Sequence, residues 1–218
     1  MMRAVKLAMA CLAVVVVTAG QVQAGMITTT FAGGNGSFGN MFDVLTLGPA
    51  LTVTGLTIHK RNTATAMLEV YTRSGTYVGF ENSAATWVLV SSTSVTGAAG
   101  SNGQNSHGVG TFVDVTDFTL APSSITGLYV TFTTGDGSGD NKMNYTNGSN
   151  VFSNADLQLT LGIGKKYPFG DTGSPRSWNG TIHYAATVVP EPSSLVLLSI
   201  GAIGLFGYGY RRKRKQAA

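Results

Sequence analysis

The chain has 218 residues, of which 43% are hydrophobic and only 11% charged, with 29 glycines and a formal net charge of +4. That charge belongs to the ends: between Gly25 and Val189 seven basic residues stand against nine acidic ones, a net of −2, so a nucleic-acid partner loses its electrostatic motive. The only cysteine, Cys11, lies in an N-terminal apolar run; once that run is removed, disulfides, thiolate metal sites and a cysteine nucleophile are excluded, and stability rests on the core.

Arg3 and Lys6 precede the apolar run Leu7 to Ala19, and Val22-Gln23-Ala24 offers the apolar and small residues that signal peptidase reads. Residues 1–24 therefore read as a signal peptide cleaved before Gly25. The run of about thirteen residues is short of the ~20 that a membrane-spanning helix needs.

From Met26 to Val189 no window sustains the helical i, i+3, i+4, i+7 pattern, whereas alternation of apolar and polar residues is frequent. Strands are expected over Ile27 to Phe31, Met41 to Leu47, Leu51 to His59, Ala66 to Thr72, Thr86 to Thr96, Gly110 to Phe118, Gly127 to Thr133, Ala155 to Gly162 and Gly180 to Thr187. They are rich in Val, Thr, Ile, Phe and Tyr and are separated by Gly, Asn and Ser clusters. Nine short strands at this spacing predict an all-β domain over 25–187, an antiparallel β-sandwich of jelly-roll type. Leu68, Val70, Trp87, Val113, Val115, Leu128, Val130 and Phe132 are expected to face inward, and Glu69, Asp114, Thr131 and Thr133 outward.

Gly34-Asn35-Gly36-Ser37-Phe38-Gly39 fits G-x-G-x-x-G, but a dinucleotide site needs a helix after it and a strand-like segment follows. Asp136-Gly137-Ser138-Gly139-Asp140-Asn141 spaces Asp136 and Asp140 as a tight Ca²⁺ loop could. It departs from an EF-hand, with Asn141 at the glycine position and Asn147 in place of the bidentate Glu, and a solvated turn is the simpler reading. His59, His107 and His183 share no short metal-ligand spacing, no G-x-S-x-G elbow supplies a serine nucleophile, and nothing nominates a carboxylate pair for glycoside hydrolysis. No resident cofactor or metal and no catalytic residue is expected. Tyr145, Tyr167 and Trp178, with Phe169 and Arg176 beside them, lie in or next to Gly/Asn/Pro-rich stretches where a ring could stack on the apolar face of a sugar. The competing reading has these rings covering the ends of the sandwich.

At the C-terminus Val189-Pro190-Glu191-Pro192 is held extended by its prolines, and an extended segment is what a protease or transpeptidase grips. Residues 193–210 carry no charge and span about 27 Å as a helix, enough for a thin bilayer. The basic cluster Arg211, Arg212, Lys213, Arg214 and Lys215 in 211–215 then stays on the cytoplasmic side, so the preceding domain faces outward.

Val-Pro-Glu-Pro, a short apolar span and an Arg/Lys end together resemble the PEP-CTERM sorting signal of Gram-negative bacteria, here over 188–218. The resemblance implies processing by a membrane-embedded exosortase, a precursor held transiently in the inner membrane, and delivery to the cell surface or extracellular matrix, often alongside exopolysaccharide and biofilm formation. The middle also resembles a module recurring in secreted PEP-CTERM proteins, carried by Phe31 to Gly36, Gly75 to Glu81, Asn144 to Gly148 and Ser174 to Gly180; it implies no activity. The expected protein is a non-catalytic exported β-sandwich with a structural, adhesive or glycan-contacting role. The alternative is a secreted carbohydrate-active hydrolase or lyase on a jelly roll.

Overall fold

The computed structural model describes residues 21–32, 35–98, 110–133 and 141–188, with Gly201 and Gly204 as isolated helical positions. The chain divides into two compact units, Val22–Thr187 and the pair of end segments Met1–Gln21 and Val188–Ala218. The expected span 193–210 and the basic cluster lie outside the described residues, among which no helix is long and apolar enough to cross a membrane.

The domain is all-β and antiparallel. β1 (Gln21–Thr28) shares only Ile27 and Thr28 with the strand expected over Ile27 to Phe31, and the other eight expected strands appear as β3 (Gly39–Thr46), β4 (Leu51–Ile58), β5 (Thr65–Ser74), β6 (Val88–Thr96), β7 (Thr111–Leu120), β8 (Ile125–Phe132), β11 (Leu157–Lys165) and β13 (Gly180–Val188). Four more were not expected: β2 (Asn35–Ser37), β9 (Met143–Asn147), β10 (Val151–Ser153) and β12 (Thr172–Trp178). β1 starts at Gln21, ahead of the expected cleavage point, so cleavage before Gly25 keeps only the second half of this strand.

One sheet runs β1-β13-β4-β7; the other runs β2-β9-β12-β11-β3-β8-β5-β6, with β10 added on β11. If β1, β3, β4, β5, β6, β7, β8 and β13 are counted as eight consecutive strands, neighbours pair first with eighth, eighth with third and third with sixth in one sheet. In the other, second pairs with seventh, seventh with fourth and fourth with fifth. That is the two-Greek-key wiring of a jelly roll. Strands β9 to β12 are an insertion between the seventh and eighth strands that widens the second sheet.

The core fills the space between the sheets. β4 alternates on either side of a phase change at Gly55, burying Leu51 and Val53 and then Leu56 and Ile58, and β8 contributes Leu128, Val130 and Phe132. Phe42 and Trp178, both fully buried, stack with centroids 4.9 Å apart and planes at 15°. Burial of each such side chain stabilises by roughly 1.5–3 kcal/mol. Gly55 sits where β4 changes register against β7, and a Cβ there would meet the Phe112 ring at 2.7 Å.

One inward assignment needs correction, and one outward position is more enclosed than expected. Trp87 is buried, but on the outer side of the larger sheet and not between the sheets. Thr131 faces outward as expected, yet it is buried, because further chain covers that side. The G-x-G-x-x-G stretch leads from β2 into β3, so no helix N-terminus is present to hold a pyrophosphate.

Candidate functional site

A second apolar cluster lies on the outer face of the larger sheet. Ile163, Met41, Tyr129 and Tyr71 are register neighbours across β11, β3, β8 and β5. Their sequence neighbours Phe42, Val130 and Val70 belong to the inner core, so these four side chains point the other way. Two connections cover the row: the stretch from Gly75 to Trp87 between β5 and β6, and the stretch from Lys166 to Asp171 between β11 and β12. The first is anchored by Asp43, whose carboxylate accepts from Thr76 Oγ1 at 2.5 Å and from the Tyr77 amide at 2.8 Å. Trp87 donates from Nε1 to the Phe80 carbonyl at 3.0 Å.

Phe169, from the second connection, joins the aromatic group. Its ring lies 5.2 Å from Tyr71 edge-on, 5.1 Å from Tyr129 and 6.0 Å from Trp87, while Tyr71 and Tyr129 stack at 5.7 Å. Phe169 has φ +58°, a left-handed conformation that costs a non-glycine residue roughly 1–2 kcal/mol. Packing of its ring among three others offsets that cost.

The half-exposed rim of this cluster is polar. Tyr71 donates its hydroxyl proton to Glu69 Oε2 at 2.7 Å, and the half-exposed Tyr167 lies close enough to feel the charge of Glu69. Burial, then the Glu69 hydrogen bond, pushes the Tyr71 phenol well above its ordinary value. Burial pushes Tyr129 up to about 12 while its hydroxyl donates to the Lys166 carbonyl at 3.1 Å. Tyr167 is raised as well, by burial first and the Glu69 charge second. The result is a carboxylate held by the Tyr71 phenol, with aromatic ring faces beside it and the exposed Leu89 opposite Tyr71 on β6.

Of the aromatic residues the sequence nominated, Tyr167 and Phe169 lie here. Trp178 is 0% exposed inside the sandwich, so no sugar ring can reach it; the nomination is corrected. Tyr145 is only 8% exposed, and the guanidinium of Arg176 lies 4.6 Å from its ring centroid, so its face is already occupied. Glu69 and Tyr71 were not nominated, although the alternation along β5 placed Glu69 outward and Tyr71, two positions on, shares that face. Asp136 and Asp140, His107 and the motif Val189 to Pro192 lie outside the described residues. Among the described residues, no group of three or more His, Cys, Asp or Glu could hold a metal ion.

The smaller sheet carries a shallow groove of about 370 Å³ on its own outer face, lined by Met26, Thr54, Phe112, His183 and Tyr184 among others. His183 Nε2 shares a 2.8 Å hydrogen bond with Thr57 Oγ1. Burial lowers the His183 pKa, which keeps the ring neutral at physiological pH.

Residues 188–214 match the family model of the PEP-CTERM protein-sorting motif. No curated protein matches the chain. Among solved structures, the infectious bursal disease virus VP2 subviral particle is similar at 14% identity and a TM-score of 0.23, over 79% of this chain and 43% of that one. A likeness at that score carries no argument.

Proposed function

We propose that this PEP-CTERM protein, exported through a membrane-anchored precursor and processed by an exosortase, acts at the cell surface or in the extracellular matrix as a non-catalytic, glycan-contacting β-sandwich. Its leader, residues 1–24, is removed by signal peptidase. The contact face is the outer side of the larger sheet, where Tyr71 and Tyr167 flank Glu69.

The observation that carries this reading is the pairing of aromatic surface with a fixed carboxylate. A pyranose ring has one face of C–H groups that stacks on a phenol ring and a rim of hydroxyls that donate to a carboxylate. Glu69 is positioned by the Tyr71 phenol and keeps further lone pairs for an incoming hydroxyl. Exopolysaccharide laid along the surface fits that chemistry, and a weak, repeated contact suits an adhesive or structural protein.

Retention of the exported protein on a panel of immobilised polysaccharides tests the reading. Binding to at least one polysaccharide is expected, weakened about tenfold by Tyr167→Ala, the loss of roughly 1.4 kcal/mol of stacking. Silence on every polysaccharide, or binding indifferent to Tyr167→Ala and Glu69→Gln alike, would sink it.

A further inference from the structure

Lys165 closes β11 with its side chain only 1% exposed. Its Nζ donates to Oδ1 of Asn82, in the connection between β5 and β6, and to Thr172 Oγ1 at 2.9 Å at the start of β12. Among the described residues no carboxylate lies within ion-pair distance of this nitrogen; the salt bridge nearby belongs to Lys166 and Asp171. A buried ammonium without an ion pair is an expensive arrangement. Burial accordingly lowers the Lys165 pKa, while Glu81 and Asp171 act in the other direction.

We propose that Lys165 and Asn82 become joined by an intramolecular isopeptide bond, formed autocatalytically after folding. A desolvated lysine is a competent amine nucleophile, and the electrophile it touches is a carboxamide. In the reaction the Nζ lone pair of neutral Lys165 attacks Cγ of Asn82. A C–N bond forms, the former Asn82 Nδ2 leaves as ammonia, and the new amide joins the two side chains. No electrons are transferred and no co-reactant is consumed. The proton lost by Nζ must reach the departing nitrogen, and the Thr172 hydroxyl, 2.9 Å from Nζ, is the group assigned to relay it. Asn82 itself is exposed, so ammonia departs directly to solvent.

The position of the bond gives it a purpose. It would tie the cover from Gly75 to Trp87 to the end of β11, closing a loop of 83 residues in sequence separation across the outer aromatic cluster. A mature chain without cysteine has no disulfide to do this. A cross-link over so long a loop restricts the unfolded state as a disulfide does, and it resists the reductants and proteases met outside the cell.

Tryptic peptide mapping of the purified full-length protein decides the matter. The expected result is a branched peptide joining the Asn82 and Lys165 segments, lighter than their sum by one ammonia, with no cleavage after Lys165. Lys165→Arg and Asn82→Ala should each restore linear peptides and lower the melting temperature. Thr172→Val should leave a folded protein whose branched peptide is much reduced; undiminished cross-linking in that variant would overturn the role given to Thr172. Cleavage after Lys165 together with a linear Asn82 peptide of full carboxamide mass, from folded wild-type protein, would overturn the bond itself and leave only a hydrogen bond.

Discussion

Tyr71, Tyr129 and Tyr184 share a consequence of burial. Their phenols are held above the ordinary value of 10, Tyr129 and Tyr184 at about 12, with burial as the leading cause in each. Above pH 10 the unfolded chain loses phenolic protons that the native protein keeps, so the stability these groups contribute is fully present below pH 10 and is lost as pH rises through 10 to 12. The slope reaches about 1.4 kcal/mol per pH unit for each such tyrosine. Spectrophotometric titration should show phenolate appearing in two classes, the later one together with loss of structure. A single unperturbed transition near pH 10 in folded protein would contradict this.

The same residues show what a sequence can reveal about a site. Tyr145, Tyr167 and Trp178 look alike from the sequence, each an aromatic in a turn-rich stretch. Their fates diverge because β12, which carries Trp178, is drawn between β11 and β9 by pairing partners distant in sequence. Ladder position decides which ring is buried, and a Ser-Pro-Arg-Ser-Trp segment announces no ladder. Glu69 and Tyr71 were legible as outward positions of an alternating strand; their meeting with Tyr167 depends on the return of the β11–β12 connection across the sheet.

At the scale of elements, seven of the eight jelly-roll strands were readable because each alternates over five or more residues, whereas β1 lies mostly in the segment that reads as a leader. Strands β2, β9, β10 and β12 were not. Two of them have three residues, and β9 and β12 draw most of their residues from Asn, Gly, Ser, Thr and Pro, which argue for turns in isolation. Pro175 is tolerated because β11 and β12 change register beside it, between Gly162 and Gly164. The cover over the outer cluster is an element of another kind, held by Asp43 through Thr76 and Tyr77. Asp43→Ala should cost about 1–3 kcal/mol and raise amide exchange from Thr76 to Trp87 while β3 and β8 keep their protection. Uniform loss of protection across the domain would show that the cover and the sandwich unfold as one unit.

For the whole molecule, the separation of charge explains why its pI misleads: the basic residues concentrate in the addressing ends, and the β-sandwich between them is weakly acidic. Polypeptide that must cross a membrane and fold outside it gains from a single cysteine-free β domain, and the sorting motif at 188–214 specifies how it arrives there. Fold class and address were both legible because each rests on local pattern, the first on alternation and the second on Pro-Glu-Pro followed by an apolar span and a basic cluster. The proposed contact face was not, because the outer aromatic cluster is assembled from β5, β8 and the β11–β12 connection. The central claim, that the chain is an exosortase substrate, is tested most directly by the mass of the mature C-terminal peptide from protein recovered at the cell surface. The account predicts a chain ending near Val189 to Pro192 and lacking Arg211 to Lys215; an intact Arg211 to Lys215 tail on the surface form would contradict it.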